Sequence, residues 1–164
     1  MRALALLILV GSLFGSSLLD DGTALFNAGE YEKAIEPLQR ALDSEKHESR
    51  LAVGEWRGLV VHLASAYRKA GKLTAGEEVL QYAIARDAKC PTCYFTLAAI
   101  YGDWNKVYVA IKWLKLALEN RENLAPGEVL PDPRKEATFQ RFMKNDDFRA
   151  VRNAFPEGGE HFAH

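Results

Sequence analysis

The sequence predicts an all-α fold in which three helical hairpins stack into a solenoid with a C-terminal helical cap. Two observations predict it: apolar residues recur at helical spacing, and one pattern of large and small residues repeats three times along the chain. Composition agrees, because 164 residues with 48% apolar and 26% charged residues can bury the core of an ordinary domain without a metal or disulfide scaffold. A net charge of −1 provides no broad basic surface for nucleic acid.

The N-terminal segment, from Met1 to Ser17, has the composition of a secretory signal peptide. Arg2 precedes an apolar run, and small residues follow that run at 15–17. We therefore expect cleavage after Ser17 and export to the bacterial periplasm or the cell exterior. The alternatives are an uncleaved membrane anchor at residues 3–19, which is near the shortest length that spans a bilayer, and a buried first helix.

Three repeats follow, at about 16–48, 57–90 and 91–122. Aligned positions hold residues of similar size: Ala34, Gly76 and Ala110 in one column, Leu38, Leu80 and Leu114 in the next, and Ala41, Ala83 and Ala117 in a third. Small residues allow two helices to approach closely, and large residues fill the space beside them. This alternation predicts a pair of packed helices in each repeat.

These columns resemble the tetratricopeptide repeat (TPR) family, and the resemblance covers about residues 16–122. The interval from Gly76 to Ala110 equals the repeat period of that family. The interval from Ala34 to Gly76 is longer by eight positions, so extra residues lie between the first two repeats. They fall within 43–56, which is rich in helix formers, and we expect them to lengthen the flanking helices rather than to form a loop.

The repeat pattern stops after residue 122. Residues 123–133 contain three Pro and one Gly and predict a connector. Residues 134–155 resume helical spacing and predict two short helices that cap the last hydrophobic face, with the side chain of Asp146 as the N-cap of the second helix. Docking of this segment in the concave groove, or on a partner, is the alternative. Residues 156–164 are expected to form a flexible tail.

One motif, Cys90-Pro-Thr-Cys93, carries reactive potential. The spacing occurs in thioredoxin-like oxidoreductases, but this chain lacks their βαβ pattern. The residue directly after Cys93 is Tyr94 and not His, so haem attachment is not indicated, and no second pair of ligands completes a zinc site. We expect a local disulfide or two free thiols, with thiol–disulfide exchange as the alternative.

Motifs of catalysis and cofactor binding are missing from the sequence. It contains no nucleophile elbow, phosphate-binding loop, dinucleotide fingerprint or zinc-protease motif. Its four His residues have no metal-binding helical spacing. The sequence therefore predicts a protein that is not an enzyme and that needs neither cofactor nor metal.

The resemblance also implies a binding surface, because the first helices of successive TPR repeats line a concave groove. The positions that it assigns are Leu19, Thr23, Phe26 and Asn27 in repeat one, Val61, His62, Ser65, Arg68 and Lys69 in repeat two, and Phe95, Ala99, Gly102 and Asp103 in repeat three. We expect Phe26, Val61 and Phe95 to bury apolar groups of a partner. Arg68 and Lys69 would orient the partner by binding a carboxylate.

The function predicted from these features is a protein-interaction module or scaffold that binds a peptide segment or a partner helix. Nucleic acid is not an expected partner, and a membrane is one only if residues 3–19 remain as an anchor. Two alternatives stay open: an envelope redox protein that uses Cys90 and Cys93, and a membrane-tethered assembly subunit.

Overall fold

The computed structural model describes residues 17–156. The predicted signal peptide lies outside these residues apart from Ser17, and the predicted tail apart from Pro156. Six α-helices account for the repeats: α1 (17–27), α2 (Tyr31–His47), α3 (Val53–Lys69), α4 (Leu73–Arg86), α5 (Pro91–Asp103) and α6 (Val107–Glu119). They form three consecutive hairpins, as the sequence predicts.

The turn inside each hairpin has the same backbone conformation. Gly29, Gly71 and Asn105 occupy equivalent positions and have φ angles of 77°, 76° and 58°. Glycine adopts this left-handed region without steric cost, and Asn is among the side chains that tolerate it best. The backbone N–H of the following residue bonds back across each turn, as from Lys72 to the carbonyl of Tyr67 at 2.8 Å.

The aligned small and large residues form the core between the helices. The Leu and Ala columns are buried in all three repeats. Gly76 shows why its column is small: a Cβ placed there would lie 2.9 Å from the carbonyl oxygen of Ala64 and 3.1 Å from Cδ1 of Ile100. Helix α4 can therefore approach its neighbours only with a small residue at this position.

The eight extra residues lengthen helices, as predicted. Helices α2 and α3 have 17 residues each, whereas α4 has 14 and α5 and α6 have 13. A buried carboxylate closes the short link between α2 and α3. Glu45 accepts hydrogen bonds from the backbone N–H groups of Arg50 and Leu51, at 2.9 and 3.2 Å, and from the guanidinium of Arg86 at 3.1 Å.

The C-terminal segment contains a 3₁₀ turn (Arg121–Asn123), a 3₁₀ helix (Ala137–Phe142) and helix α7 (Asp146–Asn153). The first of the two predicted capping helices is thus a 3₁₀ helix. The prediction that Asp146 caps the second was wrong by one residue, because the side chain of Asn145 accepts the hydrogen bond from the N–H of Phe148 at 2.9 Å.

Four aromatic side chains attach this segment to the last repeat. Phe139, Phe142, Phe148 and Phe155 are buried in one cluster with residues of α5 and α6, Leu114 among them. The cap therefore covers the last hydrophobic face of the solenoid, as expected for a repeat array.

Candidate partner-binding surface

The first helices of repeats one and two meet through an aromatic contact. The ring of Phe26 on α1 stacks on the imidazole of His62 on α3, with centroids 4.7 Å apart and planes inclined by 25°. The hydroxyl of Thr23 lies 3.5 Å from Nδ1 of the same imidazole. Burial lowers the pKa of His62, which favours the neutral ring at pH 7. Three predicted groove residues are thus brought together.

The predicted groove residues of α5 are covered by the chain itself. Phe95 and Ala99 are 4% and 1% exposed. The ring centroid of Phe95 lies 6.0 Å from that of Phe139 and 6.2 Å from that of Phe155. The C-terminal segment therefore both caps the solenoid and docks on this face of α5, so Phe95 and Ala99 cannot contact a partner while it is in place.

Gly102 lies where this segment approaches α5 closely. A Cβ built on Gly102 would lie 2.9 Å from the side chain of Thr138 and 3.0 Å from the ring of Phe139. Any side chain at this position would push the C-terminal segment away. The absence of a side chain at Gly102 thus serves an intrachain contact.

Arg68 is also engaged within the chain, although the sequence assigned it to a partner. It is 8% exposed, and its guanidinium donates to Asp103 at 2.6 Å and to Glu136 of the C-terminal segment at 2.9 Å. Burial by itself raises the pKa of Asp103, but the hydrogen bond and positive charge of Arg68, together with contributions from Thr138 and Lys69, lower that pKa. The arginine therefore links α3, α5 and the C-terminal segment.

A second buried arginine, Arg57, also links α3 to the C-terminal segment, at the other end of α3. The sequence did not lead us to expect this role for Arg57. It donates to Asp87 at 2.8 Å, to Glu128 at 2.9 Å and to the carbonyl oxygen of Asn123 at 2.6 Å. Glu128 also accepts a hydrogen bond from the hydroxyl of Thr92 at 2.7 Å. A sequence signal existed: eleven residues, about three helical turns, separate the two arginines and place them on one side of α3.

The predicted surface is therefore divided in two. The part formed by α1 and α3 stays at least partly open: Leu19, Thr23, Phe26, Val61, His62 and Ser65 are half-buried, and Asn27 and Lys69 are exposed. The part formed by α3 and α5 is closed. A cleft of about 410 Å³ borders the open part, where Lys69 lies beside the turn between α1 and α2.

Cys90 and Cys93 form a disulfide at the start of α5. Both residues are 0% exposed, and the sulfur of Cys90 accepts the hydrogen bond of the Cys93 backbone N–H at 3.2 Å. The disulfide thus caps a helix inside the core. Neither sulfur atom of this disulfide is exposed to attack by an external thiol.

Residues 17–156 lack two features that would point to other functions. Among the helices in that range, none combines the length and apolar character needed to cross a bilayer. The same part of the chain contains no group of three or more His, Cys, Asp or Glu residues placed to hold a metal ion.

Comparison with solved structures identifies the fold. The chain resembles the first TPR domain of the human RPAP3 protein, solved by NMR, with a TM-score of 0.60 and 20% sequence identity. The alignment covers 87% of this chain and 98% of that domain. No protein-family model and no curated protein sequence matches the chain. The fold is TPR-like, as the repeat pattern predicts.

Proposed function

We propose that this chain is a non-enzymatic interaction module that binds a peptide segment or a partner helix on the open part of its concave surface, formed by α1 and α3. The observation that carries the proposal is the division of the groove. The C-terminal segment fills the side of α5, while the side of α1 keeps half-buried apolar groups within reach of solvent.

The chemistry of the open surface suits a peptide with both apolar and acidic groups. Leu19, Phe26 and Val61 offer apolar area that a partner would remove from water. Ser65 can form hydrogen bonds beside them. Lys69 is exposed at the end of α3, where its ammonium can attract a carboxylate.

Export from the cytoplasm is part of the proposal. The apolar run before residue 17 supports it, and so does the disulfide between Cys90 and Cys93, since disulfides persist mainly in oxidising compartments. The intact mass of the protein recovered from its native host tests this directly. Loss of the segment from Met1 to Ser17 is expected, whereas retention of residues 3–19 would favour a membrane-tethered subunit.

The binding surface is tested by affinity capture with matched variants. Ser65→Arg adds bulk to the open surface, and Lys69→Glu reverses its exposed charge. Lys115→Glu makes the same charge change on α6 and is the control. We expect a partner retained by the wild type and by the control to be lost from both groove variants. Equal retention by all four proteins would place binding elsewhere and refute the proposed site.

A further inference from the structure

The closed part of the groove is held by two matched ion pairs. Residues 123–136, here termed the strap, connect α6 to the aromatic cap. Two glutamates of the strap, Glu128 and Glu136, each bind one buried arginine of α3, Arg57 and Arg68 respectively, at 2.9 Å. The strap therefore crosses the groove as an intrachain acidic ligand.

Each arginine has a second carboxylate that does not belong to the strap. Arg57 also pairs with Asp87 at the end of α4, and Arg68 pairs with Asp103 at the end of α5. If the strap left, each guanidinium would keep one carboxylate and regain N–H donors aimed into the groove. Such a site attracts a carboxylate, because Arg binds carboxylates through charge-assisted hydrogen bonds.

The strap is attached less extensively than the segment that follows it. Its residues Pro126, Gly127, Pro131 and Lys135 are exposed, and its largest fully buried side chain is Leu130. The following residues contribute the four buried phenylalanines of the cap. Apolar burial scales with area, so the apolar part of the free-energy cost of detachment is lower for the strap than for the cap, which would remain as an anchor. The ion-pair part of that cost would be offset by the carboxylates of an incoming ligand.

We propose that the groove under the strap is a binding site for an acidic peptide segment of a partner protein, whose two carboxylates replace those of Glu128 and Glu136. The two arginines lie about 16 Å apart along α3, which sets the distance between the carboxylates. A peptide without acids would offer these guanidinium groups neutral acceptors only, so it would bind more weakly. This site lies beside the surface formed by α1 and α3 and does not depend on binding there.

The strap sequence provides the probe for this site. A labelled peptide, NLAPGEVLPDPRKE (residues 123–136), is titrated into full-length protein carrying Glu128→Gln and Glu136→Gln. A second peptide contains Gln at the same two positions. We expect the acidic peptide to bind at least about tenfold more tightly than the Gln peptide. Equal affinities, or no binding of either peptide, would overturn the proposal.

Matched proteins separate the effect of the strap from a general loss of acid. Glu119→Gln with Glu122→Gln removes two exposed carboxylates outside the groove and should leave peptide affinity at the wild-type level. The protein with Glu128→Gln and Glu136→Gln should bind the acidic peptide more tightly than the wild type or the Glu119/Glu122 control does, because its own strap competes less well for the arginines. Circular dichroism of each variant establishes that its helices are intact.

Hydrogen exchange on the wild type supplies a readout that needs no substitution. Excess acidic peptide should speed exchange at the strap amides and leave exchange within α2 unchanged, and the Gln peptide should do neither. Unchanged strap exchange at saturating acidic peptide would refute displacement. Conversion of the wild type to a dimer, in which each copy binds the other's strap, would identify a second copy as the occupant and would also overturn the proposal.

Discussion

Replacement of Arg68 by Met tests the ion pairs that close the groove. The substitution keeps the aliphatic stem but leaves Asp103 and Glu136 without their shared cation. Removal of one partner from a buried ion pair costs about 3–5 kcal/mol of unfolding free energy. For a domain of this size, that loss lowers the melting temperature by about 6–20 °C.

The neighbouring Lys69→Met is the matched control. It removes the same charge from the same helix, but at an exposed side chain, so its effect should stay within about 0.5 kcal/mol. Both variants are compared with the wild type by urea and thermal unfolding at pH 7, and hydrogen exchange is followed at the strap amides. Arg68→Met should also speed that exchange.

The pH dependence of the same variant gives a second readout. The pKa of Asp103 is lowered in the folded protein, so its contribution to stability is fully present above pH 3.8, the ordinary pKa of the carboxyl group. This contribution is lost as the pH falls through the lower pKa of the folded state. Arg68→Met should weaken this acid-dependent loss. Equal destabilisation by the Arg68 and Lys69 substitutions, with unchanged strap exchange, would refute the assignment of Arg68 to strap closure.

Three further predictions follow from burial and packing. Burial lowers the pKa of His62 in the folded protein, so below pH 6.5 the unfolded chain binds a proton more readily than the folded one. As the pH falls below 6.5, the wild type should therefore lose more stability than His62→Gln does. Thermal unfolding over this pH range measures the difference. Gly102→Ala should lower the free energy of unfolding by about 1–3 kcal/mol, because the added Cβ displaces the C-terminal segment. Gly58→Ala is the control and should raise it by about 0.5–1 kcal/mol, because a Cβ there meets nothing within 4 Å. Urea unfolding measures both changes, and equal effects of the two substitutions would contradict the packing of Gly102 against the C-terminal segment. The buried disulfide of Cys90 and Cys93 should resist reduction by glutathione in the native protein. Native protein is treated with reduced glutathione and then with an alkylating agent, and its mass is measured. A mass increase from alkylation of Cys90 or Cys93 would favour the redox alternative.

The repeat architecture was predictable because its information is local. Helix periodicity and the small-residue columns depend on contacts between neighbouring helices, as at Gly76, where an added Cβ would lie 2.9 Å from the carbonyl oxygen of Ala64. The longer α2 and α3 followed from helix-forming composition between the repeats. Even the substitution of Asn105 for glycine keeps the turn, because Asn tolerates its positive φ.

The extent of the groove was not predictable in the same way. Helical periodicity within α5 places Phe95 on the groove side. The residues that cover it, Phe139 among them, lie in a segment more than forty residues later in the chain. Arg68 likewise carries no sign in the sequence of whether its acid is intrachain or a partner's. In the structure, Arg68 pairs with Glu136 and Arg57 pairs with Glu128, so both acids are intrachain and distant in sequence.

Site-directed photo-crosslinking determines whether a partner occupies the open surface formed by α1 and α3. A photo-crosslinking amino acid replaces Ser65 in that surface or Tyr108 on α6, which is 69% exposed, and each protein is irradiated in the native host. Binding on the open surface predicts a discrete adduct from position 65 and none from position 108. An adduct from position 108 alone would contradict it and would move the interaction to the outer helices.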